Sequence, residues 1–113
     1  MAGIDTKIKR GSGELAILAL LDQEPLHGYE ISKRIEQQSG GILRFNLASL
    51  YPLLYRLEKR GWVQGKWEAA KSGRQRRYYR LTPAGKKQLV PLREEWSLFF
   101  RALNRIAGVA HAR

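Results

Sequence analysis

The stretch NLASLYPLLYRLEKRG, residues 46–61, constrains the fold most, because the spacing of apolar residues changes where it ends. Four leucines within it recur at i, i+3, i+4 and i+7, the pattern of a helix with one buried face. These leucines are Leu50, Leu53, Leu54 and Leu57. After Gly61, apolar and polar residues alternate instead, as in strands with one buried face. The sequence therefore predicts an amphipathic helix followed directly by β-structure.

The opposite face of this helix carries small, aromatic and basic side chains and no acidic one. Asn46 is placed to cap its start, and Gly61 to end it in the left-handed conformation. Such a face suits the major groove of DNA, although an ordinary amphipathic core helix has the same pattern. The face and its flanks comprise Ala48, Ser49, Tyr51, Pro52, Tyr55, Arg56 and Lys59.

Two further helices are predicted before this stretch. The apolar run from Glu14 to Gln23 indicates a helix that Pro25 ends, after a loose basic arm over residues 1–12. The segment PLHGYEISKRIEQQSGG indicates a second helix, with His27 as a turn or capping residue. Lys33 and Arg34 lie off its apolar stripe, where they either contact phosphate or form an ordinary solvated face. Residues 42–45 are a candidate short strand.

Two alternating segments after Gly61 predict a β-hairpin. The first runs from Trp62 to Ala69 and the second from Gln75 to Leu81, with Ser72 and Gly73 in the link. Residues 66–80 hold six cations and one carboxylate, a net charge of +5 in fifteen residues.

Folding alone does not explain this concentration of charge, because like charges on one hairpin repel one another. A phosphate backbone would offset the cost. Protection of an edge strand against aggregation is the alternative, but it needs fewer charges. The charge therefore favours phosphate contact.

A long helix is predicted from Thr82-Pro83, a capping residue followed by proline at the first helical position, to Ala107, with Gly108 as its stop. Pro91 predicts a kink or a break near residues 87–91. Apolar residues recur at spacings of 3 and 4, a seam of the coiled-coil type that packs either on its own domain or on a second copy. The seam residues are Leu89, Leu92, Trp96, Phe99, Leu103 and Ile106, and Phe100 widens the seam. The preceding residues offer limited surface for so long a helix, which favours a homodimer.

Composition narrows the function classes. The 113 residues carry a formal charge of +11 with a pI near 10.5, which indicates a polyanionic partner. Without cysteine there is no thiol chemistry, and His27 and His111 have no second ligand spaced to hold a metal. Neither a catalytic constellation nor a cofactor loop is visible, so we expect no enzyme and no cofactor. No membrane span or signal peptide is visible, and a cytoplasmic location is expected.

The order of elements is that of a winged helix-turn-helix regulator, and at the residue level the chain resembles the PadR family of bacterial transcriptional regulators. The matching segments are ELAILALL, PLHGYEISKRI, SLYPLLYRLEKRGWV and GRQRRYYRLTPAGKKQL, which cover roughly residues 13–90. The single terminal helix is similar to the small subfamily. The family often has Pro-Gly-Thr where this chain has Leu47, Ala48 and Ser49, so the resemblance does not carry over an operator sequence.

The resemblance implies a mainly α fold with a small β-hairpin, divided into four parts. These are a flexible basic arm (1–12), a winged helix-turn-helix DNA-binding domain (13–82), a dimerisation helix (83–108) and a tail (109–113). It also implies a homodimer that binds a palindromic operator in double-stranded DNA, usually as a repressor. Some small members bind flat aromatic molecules between subunits on tryptophans of the terminal helix, which would involve Trp96, Phe99 and Phe100. For Trp96, a role as a plain dimer-core residue is the alternative.

Residue by residue, the expected DNA contacts come from the helices and the hairpin: Lys33, Asn46, Ser49, Tyr51, Arg56, Lys59, Lys71, Arg74, Arg76 and Arg77. Two rival functions remain. A protein that binds RNA or coats chromosomes without sequence preference would need only the charge. A protein-interaction module would leave the charge of the hairpin unused.

Overall fold

The computed structural model describes residues 6–108, with side chains from Arg10 onward. Within these residues, four helices and three strands follow one another along the chain. They are α1 (Thr6–Leu21), β1 (Leu26–His27), α2 (Gly28–Gln38), α3 (Leu47–Lys59), β2 (Val63–Ala69), β3 (Gln75–Leu81) and α4 (Pro83–Ala107). The predicted fold class, mainly α with a small β-hairpin, is confirmed.

The first helix begins at Thr6 rather than at Glu14, so residues 6–12, expected in a flexible arm, are helical. Glycine has a low helix propensity, but its lack of a side chain allows close packing in this helix. A Cβ at Gly13 would lie 2.8 Å from Leu53 Cδ1 and 2.9 Å from the ring of Phe45. The absence of a side chain lets α1 approach α3 closely at Gly13, and within residues 6–12 a Cβ at Gly11 would lie 3.2 Å from Trp96 Cζ2 of α4.

Helix α3 is buried on one face, as its leucine spacing predicts. Leu50, Leu53, Leu54 and Leu57 are all buried in one core with residues of α1 and α2. The side chain of Asn46 accepts a hydrogen bond from the backbone N–H of Ser49 at 2.8 Å, which confirms the predicted cap. Gly61 follows the helix with φ of +81°, the left-handed conformation expected of it.

The sheet has three strands in the order β1-β3-β2. Strands β2 and β3 form the predicted hairpin, in a register that pairs Val63 with Leu81 and Ala69 with Gln75. The third strand is β1, which sequence analysis missed because it is only two residues long and pairs with distant Tyr78 and Tyr79. The candidate strand at residues 42–45 is wrong: this segment is irregular, and its Phe45 packs into the core.

Helix α4 is tied to the base of the hairpin through Thr82. The Thr82 hydroxyl lies 2.6 Å from the carbonyl oxygen of Gly61 and 3.1 Å from that of Trp62, and it accepts the N–H of Gly85 at 3.0 Å. A Cβ at Gly85 would lie 2.1 Å from the carbonyl oxygen of Trp62. The helix continues through Pro91 to Ala107, without the break that was considered there.

Candidate nucleic-acid interface

An open groove of about 620 Å³ lies between the start of α2, the start of α3 and the hairpin. Its walls combine aromatic rings with arginine side chains. The lining includes His27, Tyr29, Leu47, Tyr51, Trp67, Arg74, Arg76, Arg77 and Tyr79. Proteins commonly contact nucleic acids through such groups, since aromatic rings stack on sugars or bases and cations pair with phosphates.

Helix α3 contributes its first turns to this surface. Ser49 is exposed and Tyr51 is 44% exposed, whereas the leucines between and after them are buried. A Cβ at Gly28 would lie 2.7 Å from the Tyr51 hydroxyl oxygen, so the bare backbone of α2 leaves room for this ring. Asn46 is exposed as well, but its carbonyl oxygen is already engaged in capping.

Sequence analysis missed three aromatic members of the groove. Tyr29 and Trp67 are 51% and 63% exposed, too open for core residues. In the register of β2 and β3, Trp67 pairs with Arg77, and its side chain lies outside the hydrophobic core. His27 lies beside Tyr29 with the two rings stacked at 6.4 Å. Aromatic residues flanking a basic strand were the available signal, because stacking and phosphate contact occur together in such surfaces.

His27 is the capping residue of α2. Its Nδ1 accepts the backbone N–H of Glu30 at 3.2 Å, and its ring meets that of Tyr78 edge-on at 5.3 Å. Burial lowers the pKa of His27 below its ordinary value, and the nearby Arg76 cation lowers it further. A neutral imidazole is the form that this cap requires, since Nδ1 must accept.

The six cations of the hairpin fall into two groups. Four have no ion-pair partner among the residues that the structure describes: Lys66, Lys71, Arg74 and Arg76. The other two are paired: Arg77 lies 2.6 Å from Glu58 of α3, and Arg80 lies 3.0 Å from Glu68 of β2. Most of the charge concentrated on the hairpin is therefore left for an external anion.

The predicted basic contacts on the helices also differ from one another. Lys33 and Lys59 are exposed, with their Nζ atoms 5.6 and 5.8 Å from the ring centroids of Tyr29 and Tyr55. Arg56 is half-buried and its Nε lies 3.7 Å from Glu14 of α1. Its charge is partly compensated within the chain, which sequence spacing could not show because Glu14 is 42 positions away.

The residues of the predicted seam are buried in the first half of α4 and exposed in the second half. Leu89 is 1% exposed in the core of its own domain, so its assignment to a dimer interface was wrong. Leu92 packs against the same core, and Trp96 is half-buried. Beyond them the apolar side chains are open to solvent, as the exposed fractions of Phe99 (48%), Phe100 (49%), Leu103 (42%) and Ile106 (85%) show.

The three residues predicted to bind an aromatic ligand form one cluster. Trp96 lies 5.7 Å from both Phe99 and Phe100, measured between ring centroids, and the two phenylalanines are 5.9 Å apart.

None of the helices within residues 6–108 has the length and the apolar composition that a membrane span requires. The same described part of the chain contains no cluster of side chains arranged to hold a metal ion.

Residues 17–90 match the family described as "Transcriptional regulator PadR-like family". The chain belongs to this family. Members of the PadR family are DNA-binding winged-helix regulators of transcription rather than enzymes, so the functional class predicted from the sequence is confirmed.

Solved structures of transcriptional regulators agree with this assignment. A transcriptional regulator from Clostridium thermocellum superimposes with a TM-score of 0.82 at 32% identity, over 93% of this chain and 99% of that one. A PadR-like transcriptional regulator from Bacillus cereus gives 0.78 at 28% identity, over 93% and 100%. An uncharacterized protein from Lysinibacillus sphaericus is 33% identical over 94 residues, which is 83% of this chain and 86% of the relative.

Proposed function

We propose that this PadR-like protein is a homodimeric repressor that binds a palindromic operator through α3 and the hairpin of each subunit. The observation that carries the proposal is the groove in which the exposed first turns of α3 meet the arginines of β3. In this arrangement α3 lies in the major groove, and the hairpin follows the flanking phosphates or the minor groove. Bound near a promoter in the cytoplasm, the dimer would exclude polymerase.

Within this interface the expected contacts have different roles. Ser49 and Tyr51 face base edges or the adjacent backbone, whereas Lys33, Lys59 and the unpaired hairpin cations meet phosphates. Phosphate contacts supply affinity without sequence preference, and base contacts supply specificity. Half-sites are expected about one helical turn apart, near 10 bp, or a multiple of that distance.

The hairpin assignment is tested by the salt dependence of binding. Replacing both Arg74 and Arg76 by Ala removes two unpaired cations per subunit, so the logarithm of affinity should fall less steeply with the logarithm of salt concentration. We expect the slope to flatten by about 0.9 per lost contact, for operator and random duplex alike. Arg101→Ala is the matched control, because Arg101 is an exposed cation on α4 with no ion-pair partner within residues 6–108. An unchanged slope in the double variant refutes the assignment.

Sequence preference separates the regulator from a protein that coats nucleic acid indiscriminately. DNA fragments bound by the protein are selected from the source genome, and the best is tested against random duplex and RNA. A regulator should prefer its site by roughly a thousandfold or more at ordinary ionic strength. Equal affinity for all three would favour the rival function.

The cluster of Trp96, Phe99 and Phe100 supports a second element of the proposal, a flat aromatic effector held between the two subunits. Such a ligand acts only if it binds two arrangements of the dimer with different affinity. Titration with planar aromatic cations and anions, followed by tryptophan fluorescence in the natural protein and in Trp96→Phe, tests this element. Saturable quenching that disappears in the variant is expected, and quenching that persists rejects the site.

A further inference from the structure

The consecutive arginines Arg76 and Arg77 line the same groove but have different surroundings. Arg76 has no carboxylate partner in the described part of the chain. Arg77 donates from Nη2 to Glu58 Oε2 at 2.6 Å, and its guanidinium carbon lies 5.7 Å from the centroid of the Tyr79 ring. One arginine is open to an external anion, and the other already has an internal one.

Glu58 makes a second contact with the hairpin. The same Oε2 atom accepts the backbone N–H of Gly65 in β2 at 3.2 Å. Strand β2 is at the edge of the sheet, so its outward backbone groups have no neighbouring strand to hydrogen-bond with. At Gly65 the Glu58 carboxylate takes the place of that missing strand as the acceptor. A single side chain near the end of α3 therefore contacts both strands of the hairpin.

The position of the Arg77 guanidinium depends on the absence of a side chain at Gly65. A Cβ at Gly65 would lie 2.5 Å from Nε and 2.7 Å from the guanidinium carbon of Arg77. Glycine thus lets the guanidinium lie directly over the backbone of β2. Both partners are only about a third exposed, 31% for Arg77 and 30% for Glu58, so water and salt screen this pair less than a surface pair.

We infer that Glu58 is a positioning residue that sets the angle of the hairpin against α3 and withholds Arg77 from DNA phosphates. This inference rests on the proposed function. Every cation that reaches phosphate adds affinity for all sequences equally. By engaging Arg77, Glu58 limits binding to random DNA while the hairpin stays at the orientation that α3 requires.

The variant that tests this inference is Glu58→Gln, which keeps the shape of the side chain and removes its charge. Arg77 then loses its ionic partner and can meet a phosphate. We expect the salt dependence of binding to random duplex to steepen by about 0.9 per subunit, and random binding near 0.1 M salt to tighten roughly tenfold for each subunit that gains the contact. Operator binding should tighten by a similar factor, because a phosphate contact adds the same affinity to every sequence.

Glu68→Gln is the matched control. It removes one negative charge from the same hairpin, but the pair it breaks, Arg80–Glu68, lies within the hairpin and does not reach α3. If Glu58→Gln changes the slope no more than Glu68→Gln does, the effect is general charge and the inference is overturned.

Single arginine replacements provide an independent test. Arg76→Ala should flatten the slope by about 0.9 per subunit, whereas Arg77→Ala should leave it within experimental error of the natural protein. Adding Arg77→Ala to Glu58→Gln should restore the natural slope. Equal flattening by Arg76→Ala and Arg77→Ala would show that Arg77 contacts phosphate in spite of Glu58, and would reject the inference.

A measurement without DNA separates failure of this inference from failure of the proposed function. Hydrogen exchange of the Gly65 amide should accelerate in Glu58→Ala and stay slow in Glu68→Ala, because only Glu58 accepts that N–H. Unchanged exchange in Glu58→Ala overturns the positioning role. If exchange accelerates but the natural protein shows no salt-dependent duplex binding, the proposed function fails while the contact between α3 and the hairpin stands.

Discussion

The two halves of α4 carry the same apolar spacing but meet different surroundings. In the first half, Leu89 is 1% exposed within the core of its own domain. In the second half, Leu103 is 42% and Ile106 is 85% exposed within the single chain. A regular stripe on a helix therefore predicts that the stripe will be covered, but not whether the chain itself or another copy covers it. Only the second half is available for a dimer.

The largest expected effect comes from placing a charge in the exposed half. Leu103→Asp should weaken self-association by at least about a hundredfold, because an unpaired charge buried in an interface costs about 3–5 kcal/mol. Sedimentation across a dilution series measures the change. Ser97→Asp is the control, since it adds the same charge at an exposed position outside the stripe. A dimer that survives Leu103→Asp would remove this half of α4 from the interface.

A truncation in the buried half should act on stability instead. Leu89→Ala is expected to lower the free energy of unfolding by about 2–5 kcal/mol, because it leaves a cavity in the core. Denaturant unfolding measures this loss, and sedimentation of the folded variant should show unchanged association. The adjacent Val90 is 57% exposed, so Val90→Ala should change the stability little. If Leu89→Ala dissociates the dimer without destabilising the subunit, the contrast between the halves is wrong.

The smallest effect compares two glycines of α1, each facing a different environment. Gly13 packs on Leu53 and Phe45 of the core, so Gly13→Ala should cost about 1–3 kcal/mol of unfolding free energy through overpacking. A Cβ at Gly11 would lie 3.2 Å from Trp96 Cζ2, a milder contact at the edge of the exposed half. Gly11→Ala should stay within about 1 kcal/mol, since the gain in helix propensity offsets it. Unfolding in the Leu103→Asp background isolates these effects from association, and equal costs would contradict the comparison.

Local patterns were sufficient for most of the fold. The caps at Asn46 and Thr82, the buried leucines of α3 and the bounds of β3 each depend on residues close together in the chain. The early start of α1 and the strand β1 depend on partners far along the chain, which periodicity does not report. In α1, Gly11 lies against Trp96 and Gly13 against Leu53 and Phe45, residues that are distant in the sequence.

The candidate site was predictable to a similar extent. Alternation and charge counting identified the basic hairpin, and the spacing of leucines identified the outward face of α3. Which cations are free could not be read from the sequence, because Glu58 and Arg77 are 19 positions apart and Glu14 and Arg56 are 42 apart. Exposed Trp67 and Tyr29 were likewise indistinguishable from core aromatics until their surroundings were known.

The junction at Thr82 has a mechanical consequence. The Thr82 hydroxyl contacts two carbonyl groups at the base of the hairpin, and the absence of a side chain at Gly85 lets the first turn of α4 pack closely against that base. A tilt of that helix would therefore carry the hairpin with it, over an arm of roughly 37 Å for a helix of this length. In the proposed dimer, small rearrangements among the aromatic rings of α4 would be magnified into ångström-scale changes in the distance between the two DNA-binding surfaces.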